Sequence, residues 1–256
     1  MKSDDLDLKM RAGERYHSLR VPPGELIVVR VDGRSFSRFT ERVSEKPFDS
    51  KFHGWMVETA SALLVSLGAV YVYTESDEIS VLLPKATDIF DREVEKLVSL
   101  SAARASATFS LACGEAVEFD SRLWVGADTE AVQEYFRWRQ SDATRCALNG
   151  WCYWTLRKAG KSVQDATREL DGASIPTKTE LLLTHGITFA EVPAWQRRGT
   201  GVYWEQFEKD GFNPKTQEVV KATRRRIAVN DALGAGEEYG AFVANFLPAI
   251  APPTGP

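Results

Sequence analysis

Three acidic residues occupy positions from which carboxylates could bind a hard metal ion. Asp32 follows an apolar, β-branched run (residues 25–31, ELIVVRV), and Asp77-Glu78 lie in a short polar segment between two further apolar runs. Carboxylates held close together repel each other unless a cation lies between them. Mg²⁺ prefers oxygen ligands and completes its coordination with water and substrate phosphates. The residue types therefore fit a two-metal phosphoryl-transfer site, in which ions activate an attacking hydroxyl and stabilise a leaving oxygen.

The surrounding elements are predicted to bring these residues together. Apolar patterning and turn residues predict, in order, a strand at 25–31, a helix from 49 or 50 to about 68, strands at 69–74 and 79–83, a helix at 88–105 and a strand at 115–119 or 122–125. This order is the split βαβ arrangement of ferredoxin-like domains, which is also the core of the polymerase palm. Because the first and third strands are neighbours in such a sheet, Asp32 and Asp77 are expected to meet at one edge.

The second half of the chain is predicted to be mostly helical. Asp128 is a suitable N-cap for a long helix rich in aromatic residues, whose simplest role is core packing. Capping boxes at Ser162-x-x-Asp165 and Thr177-x-x-Glu180 predict two shorter helices. Segments 201–207 and 218–229 alternate like a hairpin around residues 210–214.

We therefore predict an α+β fold in which a ferredoxin-like palm core is joined to a mostly helical C-terminal extension carrying a β-hairpin. The palm-like catalytic domain is expected at residues 1–136 and the extension at 137–256, packed on it as one compact unit. Residues 248–256 are rich in proline and are expected to be disordered.

Composition limits the class of protein. No apolar run is long enough to cross a bilayer and no secretory signal is visible, which favours a cytoplasmic protein with no membrane partner. The three cysteines lack paired CxxC spacing, so neither a disulfide framework nor a zinc site is indicated. Net charge is −4, but basic residues cluster at Arg197-Arg198 and at 221–226, which is either an RNA-binding patch or a solvated strand face.

Alone, each acidic motif has a simpler interpretation. An Asp-Gly pair after a strand is usually a turn, and an Asp-Glu pair in a hairpin is usually a solvated corner. Their combination in one split βαβ pattern favours a metal-phosphate site. Gly33 would let the backbone approach a triphosphate, and the N–H groups of residues 34–37 could bind it.

Several collinear blocks together resemble the tRNA-histidine guanylyltransferase family. The blocks are VVRVDGRSFSRF (28–39), KPFD (46–49), YTESDEIS (73–80), WRQSDA (138–143), TKTELL (177–182) and WQRRGT (195–200). The resemblance covers about residues 28–226. It implies a palm-like enzyme that adds nucleotides in the 3′→5′ direction to the 5′ end of a tRNA. The 5′-phosphate is first activated from ATP or GTP, and two Mg²⁺ ions serve both steps.

The resemblance also assigns site residues. It implies that Asp32, Asp77 and Glu78 are catalytic, with Asp32, the Gly33 carbonyl and Asp77 as metal ligands. Implied nucleotide-binding residues are Asp32, Gly33, Arg34, Ser35, Phe36, Ser37, Lys46, Asp49, Ser76, Asp77, Arg92 and Lys96. Candidates for RNA contact or helix support are Arg139, Gln140, Asp142, Lys178, Arg198 and Arg225. The family resemblance further implies a homotetramer in which the RNA spans more than one subunit, with the 5′ end and acceptor stem of a tRNA as the partner.

One departure bears on the substrate. Family members that act on tRNA-His carry a histidine and asparagines after the WRQ-x-D block, where this chain has Thr144 and Cys146. This departure favours the guanylyltransferase-like group, which resembles repair polymerases that extend 5′-truncated tRNAs by templated addition. A strict tRNA-His guanylyltransferase is the close alternative.

Two alternative functions do not involve nucleotide addition to RNA. A palm-type nucleotide cyclase would join nucleoside triphosphates without RNA, but the corner at 75–78 lacks the double glycine typical of such cyclases. A non-catalytic RNA-binding module of the same βαββαβ shape would stack bases on aromatic residues of its central strands. The central strand VVRVDG offers none and ends in a carboxylate.

Overall fold

A computed structural model describes residues 3–213 and 218–247 of the chain. The strands are β1 (Leu26–Gly33), β2 (Tyr71–Glu75), β3 (Glu78–Leu82), β4 (Phe119–Gly126), β5 (Thr200–Asn213) and β6 (Glu218–Asn230). The helices are α1 (Ser3–Arg11), α2 (Phe36–Val43), α3 (Ser50–Ser66), α4 (Val94–Cys113), α5 (Thr129–Lys158), α6 (Val163–Leu170), α7 (Ile175–Thr184), α8 (Ala194–Arg198) and α9 (Gly236–Ala244). Short 3₁₀ turns cover Ile89–Arg92 and Phe189–Glu191. The predicted α+β class is confirmed.

The strands form one antiparallel sheet in the order β4-β1-β3-β2-β5-β6. The first and third strands are neighbours, as the split βαβ pattern predicts. The hairpin of β5 and β6 extends this sheet, because Thr200–Tyr203 at the start of β5 pairs with β2. The C-terminal half therefore contributes strands to the sheet that carries Asp32.

The two faces of the sheet pack against different helices. Alternate residues of a strand point to opposite faces, so Val29, Val31 and Val81 pack against α3 and α4, whereas Val28 and Leu82 pack against α5 and α9. Helix α5 begins where Asp128 accepts a hydrogen bond from the Ala131 N–H at 2.9 Å, as predicted. Its 30 residues continue beyond the sheet into a third cluster formed with α6 and α7.

Several element boundaries differ from the sequence prediction. The second long helix begins at Val94 rather than residue 88, because a 3₁₀ turn precedes it, and β4 follows the second of the two predicted alternatives. Ser162 caps α6 as predicted, but α7 is capped by Ser174, not by Thr177. Pro176 explains this shift, since proline favours the first turn of a helix.

Other expectations concern the remaining parts of the chain. The predicted disorder of residues 248–256 lies outside the described residues, as does part of the predicted hairpin loop. Among the helices of residues 3–213 and 218–247, none combines the length and apolarity that a bilayer crossing requires.

Candidate active site

The ends of β1 and β3 meet at a corner that is fixed by main-chain atoms. The Gly33 N–H donates a hydrogen bond to the Asp77 carbonyl at 3.1 Å, and Asp32 lies opposite Glu78 in the β1–β3 register. Gly33 is required for steric reasons, because a Cβ there would lie 2.4 Å from the ring of Phe36. The structure thus brings together the two acidic segments that are far apart in sequence.

Burial and mutual repulsion disfavour ionisation of the carboxylates at this corner. Burial, followed by the charge of Asp32, raises the pKa of Asp77 to about 6. Burial and then the charge of Asp120 raise the pKa of Asp32. A cation between Asp32 and Asp77 would relieve this repulsion.

The donor set fits a particular kind of ion. Within the described part of the chain, no group of three or more His, Cys, Asp or Glu side chains is arranged to hold a metal. Asp32 and Asp77 therefore suit an ion that obtains its other ligands from the backbone, water and substrate phosphates, as Mg²⁺ does.

Glu78 has a different environment from Asp77. Arg139 donates hydrogen bonds to both oxygens of Glu78, each at 2.7 Å, and approaches Glu75 to 3.7 Å. Burial, and secondly the charge of Glu78, raises the pKa of Glu75 to about 8. The guanidinium engages the Glu78 carboxylate, which thereby supports the corner, and the assignment of Glu78 as a catalytic residue stays a prediction.

Two adjoining cavities open beside Asp77. The corner cavity, of about 310 Å³, is lined by Phe36, Ser37, Thr40, Glu41, Lys46, Phe52, Ser76, Asp77 and Trp154. The aromatic cavity, of about 210 Å³, shares five of these residues and continues between α3, α5 and α8. Phe48, His53 and Trp195 line it, and the imidazole of His53 stacks on the Trp195 indole with centroids 4.2 Å apart.

Lys46 is placed to neutralise a phosphate in the corner cavity. Its Nζ donates to Thr40 Oγ1 at 2.6 Å and lies 5.7 Å from the ring centre of Trp154. Burial lowers the pKa of Lys46, opposed by the charges of Glu41, Asp49 and Asp77. Among the described residues, none forms an ion pair with this amine, which lines the same cavity as Asp77.

The segment after Gly33 forms the other wall of the corner. Ser35 has a φ of 61° and precedes α2. The first N–H groups of a helix have no intrahelical partner; since the Arg38 N–H donates to the Ser35 carbonyl at 3.2 Å, these groups are those of Phe36 and Ser37. They can bind an anion. The Arg34 N–H cannot, because it donates to the Glu118 carbonyl at 2.8 Å. Across the corner, Ser76 has a φ of 48° and donates to Asp77 Oδ1 at 3.1 Å.

Asp49 lines the aromatic cavity and also caps a helix. Its carboxylate accepts hydrogen bonds from the N–H groups of Phe52 and Glu45, each at 2.8 Å. Burial acts to raise its pKa, but these backbone bonds outweigh burial and lower it. Asp49 therefore holds the start of α3 in place beside the cavity.

Arg92 and Lys96 do not join the corner within this chain. Arg92 is buried and donates to the carbonyls of Val21, Pro22, Glu25 and Thr87. Glu25 precedes β1, whereas Asp32 ends it, so the two ends are about 20 Å apart at ~3.3 Å per residue. Lys96 lies on the same turn as Glu93, which it contacts at 3.2 Å. A single chain therefore does not bring Arg92 and Lys96 to the corner, and their role in nucleotide binding stays a prediction.

The candidate RNA contacts divide into buried and accessible residues. Gln140 is buried and donates to the Gly234 carbonyl at 3.0 Å, and Arg198 donates to the Leu233 carbonyl at 3.0 Å. Gln140 and Arg139 therefore support the helix rather than contact RNA. Lys178 is half-buried, and Arg225 is exposed on β6 with its guanidinium 4.3 Å from the Trp204 ring centre.

Sequence reasoning missed the aromatic walls of the cavities. Trp154 and His53 have ordinary helical spacing, which indicated only core packing or a surface histidine. Trp195 lies in the WQRRGT block, but its role depends on the fold placing α8 against α3. No local sequence pattern predicts that these three residues lie together, because they are more than 40 positions apart.

Most of the chain matches two protein-family models. A family model described as tRNAHis guanylyltransferase matches residues 8–136, and one described as Thg1 C terminal domain matches residues 130–232. A probable tRNA(His) guanylyltransferase of Dictyostelium discoideum is 32% identical over 69% of this chain and 74% of its own length. The tRNA(His) guanylyltransferase 1 of Arabidopsis thaliana is 30% identical over 78% of this chain, but the match spans only 38% of that protein.

Solved structures give a similar result. A bacterial tRNA(His) guanylyltransferase (Thg1)-like protein, in complex with GTP, aligns over 94% of this chain and 98% of its own, with 26% identity and a TM-score of 0.72. The same kind of bacterial protein in complex with ATP aligns with 25% identity and a TM-score of 0.74. The chain with its buried acidic corner thus belongs to the tRNA(His) guanylyltransferase family, a family of nucleotidyltransferases.

Proposed function

We propose that this chain adds nucleotides to the 5′ end of a tRNA in the 3′→5′ direction, as templated repair of a shortened 5′ end. The observation that carries the proposal is the convergence of Asp32 and Asp77, joined by the hydrogen bond from the Gly33 N–H to the Asp77 carbonyl, beside a cavity that contains Lys46. Carboxylates for ions and a cation for phosphate are the groups that nucleotidyl transfer needs.

Each side of the corner has a proposed role. Asp32, Asp77 and the Gly33 carbonyl would hold two Mg²⁺ ions, which supply charge neutralisation and activate the attacking hydroxyl. Lys46 and the N–H groups at the start of α2 bind the triphosphate of ATP or GTP. Ser76 orients Asp77 through its hydroxyl, and the aromatic cavity receives the base.

The repair preference rests on Thr144 and Cys146. Thr144 Oγ donates to the Arg197 carbonyl at 2.8 Å and so ties α5 to α8, while Cys146 lines the aromatic cavity. Neither side chain supplies the imidazole or amide that the family resemblance associates with tRNA-His.

We further propose that residues 1–136 form a palm-like catalytic domain and residues 137–256 an extension that works with it, with the chain assembling as a cytoplasmic homotetramer. The βαββαβ strand order supports the palm assignment. Analytical ultracentrifugation of the full chain tests the assembly.

The test compares two RNA substrates. Purified protein with Mg²⁺, ATP and GTP is incubated with 5′-monophosphorylated tRNA-His or with a tRNA that lacks its first nucleotide, and products are resolved to single nucleotides. Extension of the truncated tRNA, templated by the opposite strand and lost in Asp77→Asn, is the expected result.

Other outcomes identify the alternatives. Preferred addition of one guanosine to tRNA-His would establish the strict guanylyltransferase. If a folded protein that binds nucleotide extends neither RNA, the repair polymerase and the strict guanylyltransferase are both excluded. Nucleotide cyclisation is then the remaining activity, and incubation with nucleotides but without RNA tests it.

A further inference from the structure

Trp138 on α5 is a large aromatic side chain that the core does not enclose. It is 54% exposed although it is adjacent in sequence to buried Arg139. Two guanidinium groups lie over its ring, that of Arg139 at 4.6 Å and that of Arg30 at 5.8 Å from the ring centre. The ring of Tyr135 supports it edge-on at 5.8 Å. Trp138 is thus a supported aromatic surface that faces solvent.

This surface lies beside the acidic corner. Arg30 precedes Asp32 by two residues on β1, so both side chains are on the face covered by α5. Across to β4, Arg122 is opposite Arg30 and Asp120 is opposite Asp32. The α5 residues that line the aromatic cavity begin at Ala143, more than one turn further along the helix. Trp138 therefore lies outside the lining of both cavities of the proposed nucleotide site.

The cations next to Trp138 are incompletely neutralised. The Nε of Arg30 is buried without a hydrogen-bond partner among the described residues, and its contact with Glu78 is long, at 3.8 Å. Arg122, which lies opposite Arg30 on β4, is 53% exposed and has Asp120 as its carboxylate neighbour. Arginine groups around an aromatic ring bind a nucleotide through its phosphate and its base.

We propose that Trp138 is the stacking surface for the 5′-terminal base of the RNA, with Arg30 and Arg122 binding its flanking phosphates. The assignment rests on the proposed function, which needs an RNA end to reach Asp32 and Asp77 from the side that the incoming nucleotide does not occupy. Stacking on an aromatic side chain does not depend on which base is present. It therefore suits a tRNA end whose last nucleotide differs from one substrate to another.

The test compares Trp138→Ala with Trp138→Phe on 5′-truncated, monophosphorylated tRNA. Removal of the ring is expected to raise the KM for RNA about tenfold or more, whereas phenylalanine recovers most of the binding. The KM for ATP and GTP is expected to stay within about twofold. Tyr16→Ala, an exposed aromatic residue away from the corner, is the matched control.

A second readout locates the base directly. tRNA carrying 5-iodouridine at its 5′ terminus is irradiated with the wild-type protein, and the crosslinked peptide is identified by mass spectrometry. A crosslink at Trp138 supports the assignment. An unchanged KM for RNA in folded Trp138→Ala, or a crosslink elsewhere, overturns it while the wild-type extension still stands. Failure of the wild type to extend any RNA would overturn the proposed function and this assignment together.

Discussion

Arg139 on α5 holds Glu78 on β3 through two hydrogen bonds of 2.7 Å, with side chains that are only 7% and 10% exposed. Glu75 and Asp142 complete the surroundings of the guanidinium, at 3.7 and 3.2 Å. One buried cation therefore balances several carboxylates between the helix and the sheet. Loss of a single partner from such a group leaves uncompensated buried charge.

Replacement of Arg139 by methionine is expected to lower the free energy of unfolding by about 3–5 kcal/mol, because the buried Glu78 carboxylate loses its counter-charge. Arg139→Lys should recover part of this loss, since lysine keeps the charge but not the two-pronged geometry. Urea unfolding measures both. Equal stability of Arg139→Met and the wild type would show that the pair contributes nothing net.

Asp77→Asn is expected to stabilise the fold when divalent ions are absent. The pKa of Asp77 rises to about 6, so ionisation above that pH costs folding free energy, at ~1.4 kcal/mol per pKa unit. In EDTA at pH 7.5 the variant should be more stable than the wild type by roughly 1–3 kcal/mol. Mg²⁺ should raise the melting temperature of the wild type and not of the variant.

The control for Asp77→Asn is Asp171→Asn, which neutralises an exposed aspartate. It should leave both the EDTA and the Mg²⁺ melting temperatures close to those of the wild type. An Asp77→Asn protein less stable than the wild type in EDTA would contradict the electrostatic account of the corner.

Lys46 and Lys96 make a matched pair for nucleotide binding. Lys46→Met is expected to raise the KM for ATP and GTP about 10- to 100-fold, since a charge-assisted contact to phosphate is lost. Lys96→Met should leave both values nearly unchanged, because Lys96 lies at the opposite end of the sheet. The reverse ranking in steady-state kinetics would restore Lys96 to the site and imply a contribution from another subunit.

His53 is expected to make stability depend on pH. Burial lowers its pKa, and Asp231, whose carboxylate lies 3.1 Å from Nε2, only partly opposes this. As pH falls below about 6.5, the unfolded chain takes up a proton before the folded one does. Stability should therefore be lost as pH falls, by at most about 1.4 kcal/mol per pH unit.

The pH effect is measured by urea unfolding between pH 7.5 and 5. His53→Gln should flatten the dependence relative to the wild type, whereas His17→Gln, a substitution of an exposed histidine, should not. Parallel curves for the wild type and His53→Gln would rule out His53 as the source.

The acidic corner could be predicted because strand order follows from local pattern. Alternating and β-branched runs identify β1, β2 and β3, and the split βαβ order then makes Asp32 and Asp77 neighbours. The same strand order explains why Arg92 and Lys96 lie apart from the corner within one chain. Strand β3 leads away from the corner, so residues that follow it closely in sequence lie at the far end of the sheet.

The cavity walls could not be predicted in this way. His53, Trp154 and Trp195 meet only because α5 extends past the sheet and α8 packs against α3. The burial of Arg139 could not be predicted either, because the sequence around a charged helical residue does not show that it will pair with acidic residues on two strands. These are long-range contacts, and only the folded chain specifies them.

The hydrogen bond from Gly33 to Asp77 joins main-chain atoms, so this contact between the two acidic segments uses no side-chain atom. The cavity lining, by contrast, comes from scattered side chains on α3, α5 and α8. The main-chain contact at the corner and the side chains that line the cavity are therefore separate parts of the site. Under the proposed function, a change of cavity side chains such as Thr144 or Cys146 would alter which substrate binds and leave this main-chain contact unchanged.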